Sequence, residues 1–188
     1  MIVLTYVDDC VIVGPYMKKI DAFVKLMEVG TKTFTLIDEW YIDKFLGIVI
    51  NRLDEKIFKI SQTFLIDIII SFLNIDTNGF GLGTNSKSTP VGKPLLHKDL
   101  SGKPRKENWN YRTAVVMLTY LKGNSRPEMS MAVYQTARFI NNPMLLHEIS
   151  LKCLGRYLLH TKLDGIICKL NKQKGLEWYV DAHFAGGW

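Results

Sequence analysis

Apolar positions change their period several times along the chain, and each change marks an element. Residues 2–6 and 10–13 are short β-rich apolar runs around Val7-Asp8-Asp9, which predicts a hairpin with the aspartates at its tip. Gly14-Pro15 ends the second run. Over 17–29, Ile20, Phe23, Val24 and Met27 recur at helical spacing, with Lys18, Asp21, Lys25 and Glu28 elsewhere, so a helix is expected. Thr33–Ile37 is a short strand candidate and Asp38-Glu39 a turn. Phe45–Ile50 and Lys56–Ile60 predict a second hairpin around Asn51–Glu55. Ser61 stands where a helix N-cap belongs, ahead of Phe64, Leu65, Ile68, Ile69, Phe72 and Leu73. That helix is apolar on several sides, so it should pack against more than one element.

Residues 75–110 change character. Gly79, Gly81, Gly83, Gly92 and Gly102, with Pro90, Pro94 and Pro104, predict a linker. Its Lys87, Lys93, Lys98, Lys103, Arg105 and Lys106 suit either a solvated loop or contact with a phosphate backbone. From Tyr111 the period is helical again. One helix is expected over 111–122, a second from Pro127 to about Ile140, and a third from Pro143 to about His160. Asp164-Gly165 is a turn, followed by strands 166–170 and 176–180. The pattern divides into 1–74, 75–110, 111–163 and 164–188, an α+β chain. No internal repeat occurs.

Composition adds three constraints. The chain is 47% hydrophobic and 22% charged over 188 residues, which suits a packed core rather than a disordered segment. Its net charge of +6 favours polyanionic partners, although ordinary solubility charge gives the same sum. Cys10, Cys153 and Cys168 are odd in number and far apart, which argues against a disulfide framework and fits a reducing intracellular compartment. The N-terminal run lacks a basic leader and cleavage site. No apolar run reaches the roughly 20 residues of a bilayer span. Neither end reads as a solvated tail, so the chain is expected to be an excised piece of something longer.

The chemistry concentrates in the first hairpin. Asp8 and Asp9 are flanked by Ile2, Val3, Leu4, Val11, Ile12 and Val13. Gathering like charges at one point costs energy unless a cation offsets it. Mg²⁺ takes hard oxygen ligands, and one or two carboxylates suffice when substrate phosphates supply the rest. For a bare Asp-Asp pair an ordinary polar turn is the commoner explanation. His97, His147, His160 and His183 lie too far apart for zinc-ligand spacing. Tyr111, Tyr120, Tyr134 and Tyr157 interleave with Arg112, Lys122, Arg126, Arg138 and Arg156. That pattern suits a stacking face for nucleic acid or helix-core aromatics with a basic exterior.

Six blocks in order give a resemblance. YVDDCVIVG, residues 6–14, resembles the catalytic hairpin of reverse transcriptases. FLGIVI, Phe45 to Ile50, resembles the following hairpin that holds the primer end. ISQTFLIDIII, 60–70, resembles the thumb start of Copia-type LTR retrotransposon polyproteins. Residues 111–143 resemble that family's Tyr-Arg … Thr-Arg-Pro-Asp … Pro block, and 147–161 its next Leu-x-Tyr-Leu segment. YVDAHFAGGW resembles the opening of the RNase H domain. The resemblance implies a partial palm and thumb start in 1–74, a helical connection in 111–163, and an RNase H start in 164–188. It implies template-directed nucleotidyl transfer with Mg²⁺ or Mn²⁺ held by Asp8, with Asp9 beside it. Tyr6, Phe45, Leu46 and Gly47 would contact primer–template, and Asp181 would be the first RNase H carboxylate. The implied partners are an RNA template, a DNA primer and the remaining Pol segments, in the cytoplasm (in a virus-like particle) or the nucleus and not at a membrane.

This sequence departs from the family pattern in places. Trp40 replaces a glycine, Ser125-Arg126-Pro127-Glu128 stands for Thr-Arg-Pro-Asp, Val115-Val116-Met117 stands where a Gly-Ser pair belongs, and His183 replaces an acid. A palm aspartate, the fingers and the remaining RNase H carboxylates are expected outside the chain. The isolated polypeptide is therefore expected neither to polymerise nor to cleave RNA. A non-catalytic nucleic-acid-binding remnant of a degenerate element is the rival expectation.

Overall fold

The computed structural model describes residues 1–29, 37, 42–76, 88–91, 96–99 and 101–169. The expected strand over 33–37, except residue 37, the Asp38-Glu39 turn, Trp40, the strand 176–180, Asp181 and His183 lie outside the described residues. Within them the chain is mixed α and β, as the pattern predicts.

Strands β1 (Ile2–Tyr6) and β2 (Asp9–Val13) form an antiparallel two-stranded sheet. Helix α1 follows at Met17–Val29, matching its expected bounds. A second, four-stranded antiparallel sheet has the order β3-β4-β5-β6, from Lys44–Phe45, Ile48–Asp54, Ile57–Ser61 and Ile166–Lys169. Phe45–Ile50 is not one strand. Phe45 pairs with Ile48 across a two-residue reversal at Leu46-Gly47, and the glycine permits the turn. Ser61 is not a helix cap either. It pairs with Val49 as the last residue of β5, and Gln62 takes the cap position without a side-chain bond.

Helix α2 (Thr63–Phe72) packs on α3 (Tyr111–Asn124) and α5 (Leu145–His160), which explains its apolar character on several sides. Asn110 caps α3 by accepting the Thr113 N–H at 3.1 Å. Pro127 opens a short 3₁₀ turn, and α4 (Ser130–Ala137) follows. The helix stops short of Ile140 because Phe139 and Ile140 donate to carbonyls three residues back, which tightens the last turn. Ile66, Ile69, Leu118, Leu121, Leu151 and Leu158 stand at the centre of one core built from α2, α3, α4 and α5.

The stretch expected as a linker is partly built into that core. Leu96 and Trp109 are buried. The Arg105 guanidinium lies over the Trp109 ring at 4.4 Å and forms an ion pair with buried Glu148 at 3.4 Å. Glu148 also accepts the backbone N–H groups of Lys106 and Glu107. At the far end, β6 pairs with β5, Ile60 opposite Ile166. Residues 166–169 therefore complete the sheet begun by residues 44–61.

Candidate metal-binding hairpin and the neighbouring turn

The first hairpin has Tyr6 opposite Asp9, so its loop is Val7-Asp8 alone. Asp8 occupies the turn and Asp9 begins β2, one position further into the ladder than a three-residue tip would put it. Val7 has φ of 54°, while Asp8 has no such value. A positive φ at only the first loop residue is the type II′ pattern, which normally employs glycine. A β-branched residue is strained there.

Tyr6, Val7, Asp8 and Asp9 are all exposed, Val7 to 92%. Directly opposed residues share a face, which puts Ile2, Leu4 and Tyr6 with Val13, Val11 and Asp9. Neither carboxylate makes a hydrogen bond or ion pair within the described residues. Ionised carboxylates accept only, so two neighbouring unpaired ones on a turn offer the hard oxygens that Mg²⁺ takes. They fit part of such a site. No group of three His, Cys, Asp or Glu suited to a metal occurs among the described residues.

The second turn shows related strain. Leu46 and Gly47 have φ of 50° and 73°, the type I′ pattern. Phe45 is half-buried on two-residue β3, and Leu46 carries the unfavourable angle. The Tyr120 hydroxyl of α3 donates to the Leu46 carbonyl at 2.7 Å. The third non-glycine residue with positive φ among those described, Asn74, follows the end of α2, where that conformation is common. The two unexplained angles thus sit at the two hairpin tips.

The interleaved aromatic and basic residues do not form a single face. Tyr111, Tyr157 and Arg126 are buried, whereas Tyr120 and Tyr134 are exposed. Arg126 is structural. Its Nε donates to Glu128 at 2.6 Å, and its other nitrogens donate to the Thr161 carbonyl at 2.9 Å and hydroxyl at 2.6 Å. Ser125 donates to buried Gln62 at 2.9 Å. The Ser-Arg-Pro-Glu block therefore ties the start of α2 to the end of α5. Lys98, Lys103 and Lys106 are exposed and form no ion pair among the described residues. Tyr120 was legible only as an aromatic in a helix; nothing local marks its partner 74 residues away. No helix among the described residues is long and apolar enough to cross a membrane.

Comparison with known proteins gives a consistent answer. The chain is 32% identical over 196 aligned residues, 99% of its length, to the retrovirus-related Pol polyprotein of transposon TNT 1-94 from Nicotiana tabacum. It is 28% identical over 96% of its length to a protein of transposon Ty5-1 from Saccharomyces cerevisiae. It is 27% identical over 97% of its length to the Pol polyprotein of transposon RE1 from Arabidopsis thaliana. It spans 14%, 56% and 12% of those proteins. No family model and no solved structure matches. The homologues of this chain are retrotransposon Pol polyproteins.

Proposed function

We propose, on the premise of that homology, that the chain is the part of a retrotransposon Pol polyprotein that presents the acidic hairpin of an RNA-directed DNA polymerase. One observation carries the reading: Asp8 and Asp9 stand exposed and unpaired at a hairpin tip, in a chain that aligns along nearly its whole length with Pol polyproteins. On this reading the Asp8 carboxylate is the principal metal ligand and Asp9 a neighbouring one. Bound Mg²⁺ supplies activation of the primer 3′-hydroxyl and stabilisation of the leaving pyrophosphate. Tyr6 lies against the primer–template. Phe45, Leu46 and Gly47 bring backbone close to the primer end, where Gly47 presents no side chain. Asp181 is the first carboxylate of an RNase H site. The helical block is the connection between thumb and RNase H, and exposed Lys98, Lys103 and Lys106 meet the phosphate backbone.

The test is a binding titration with an RNA–DNA primer–template. Mg²⁺ should tighten binding by the intact chain, and Asp8→Ala should remove that gain. Binding indifferent to both Mg²⁺ and the substitution would instead support a non-catalytic nucleic-acid-binding remnant. The chain alone should not extend a primer. Supplied with the rest of a Pol polyprotein, it should, and Asp8→Asn should then lower extension by roughly two to three orders of magnitude, the scale for losing one group that stabilises transition-state charge. Extension by the isolated chain refutes the division of labour.

A further inference from the structure

Strand β3 is only two residues long, so little ladder holds the Leu46-Gly47 tip in place. Leucine at the first position of a type I′ turn is disfavoured, because that turn selects Asn-Gly or another pair tolerant of positive φ. A strained angle persists only where its surroundings over-determine it. A contact that reaches the strained residue from outside its sheet is the 2.7 Å hydrogen bond from Tyr120. Tyr120 stands between Leu118 and Leu121, both fully buried, so its backbone is fixed by the helical core. The Tyr120 carbonyl also accepts from the Asn124 side chain at 2.7 Å. Yet Tyr120 is 43% exposed. The hydroxyl is the side-chain atom with a hydrogen-bond partner.

We infer that Tyr120 is a positioning residue, whose hydroxyl holds the strained Leu46-Gly47 turn and ties the second hairpin to the helical block. Resting on the function proposed above, this makes α3 the element that sets where the primer end meets the β3–β4 tip. Movement of the helical block would then carry the tip with it.

The experiment is residue-resolved amide exchange on the full chain. The reporters are Ile48, opposite Phe45, and Ile50, whose N–H donates to the Asp43 carbonyl at 2.7 Å. Tyr120→Phe should speed exchange at both by about fivefold, the scale of one lost hydrogen bond. Leu118 and Leu121 should be unaffected. Adding Leu46→Asn should restore protection at Ile48 and Ile50, because asparagine adopts the left-handed angle readily. A purely structural role in the core would move all four amides together and would ignore the asparagine. Unchanged exchange in Tyr120→Phe, or failure of the double variant to recover, overturns the inference. In parallel, a primer with a photoreactive 3′ end should crosslink to residues 44–48 of the intact chain. Loss of crosslinking in Tyr120→Phe supports the positioning role. Absence of crosslinking in the intact chain, with the exchange result standing, removes the primer-end reading and leaves the tether.

Discussion

A valine at φ 54° is held against its own preference. Exposed to 92%, Val7 gains almost nothing from packing in return. Such strain costs on the order of 1–3 kcal/mol and is found where a turn has work to do. Val7→Gly should relieve part of it, slowing amide exchange across β1–β2 by about fivefold, near 1 kcal/mol. Exchange that is unchanged or faster would mean that the angle costs nothing at this position. The exposed acidic pair beside it was readable because residue type and adjacency sit in the sequence itself. The backbone angle was not readable. Nothing in a Tyr-Val-Asp-Asp string distinguishes a three-residue tip from a two-residue type II′ loop, and the register of Tyr6 with Asp9 decides it.

At the level of elements, the segment 101–110 behaves unlike its composition. Glycines and prolines marked it as a linker, and periodicity is silent about an irregular strap. Trp109 and Arg105 were the available signals, since a tryptophan in a loop usually has somewhere to go. The strap is fastened by Glu148, which faces Arg105 and accepts two backbone N–H groups. Glu148→Gln should cost about 3 kcal/mol in urea unfolding, because it leaves a half-buried guanidinium without its counter-charge. A loss below about 1 kcal/mol would make the contact incidental. The same strap has an acid-sensitive fastening. The Lys152 hydrogen bond, followed by that from Asn74, holds the Glu107 carboxyl below the usual carboxylate range. A depressed folded value means stability is present above the unfolded value and is lost as pH falls through the folded one. Thermal stability should therefore decline on the acid side of the carboxylate range, and Lys152→Met should flatten that decline. Burial acts oppositely on Tyr111, pushing its phenol far up and keeping the neutral hydroxyl that donates to the Thr136 carbonyl.

For the whole molecule, local pattern located five helices and most strands among the described residues, because period is written in neighbouring residues. It missed what joins them. The helical core takes residues from α2 as well as from α3, α4 and α5, so a division between 74 and 111 runs through a shared interior. The sheet likewise closes through β6, a strand expected at 166–170 whose pairing with β5 no local period announces. Gly165 marks that closure: a Cβ there would stand 2.2 Å from the Ile60 carbonyl oxygen. Gly165→Ala should destabilise by about 2 kcal/mol and free the β5–β6 amides first. A neutral effect in denaturant unfolding would show that the junction yields easily.

The pairing of β5 with β6 also orders events on the ribosome. β4 and β5 emerge early, while the strand that covers the outer side of β5 arrives only after the entire helical block. Until then a nascent chain carries an open edge of isoleucine and phenylalanine, free to zip onto another copy. A transcript broken off before residue 166 would leave that edge open permanently, and its product should go to aggregates rather than to a smaller soluble protein.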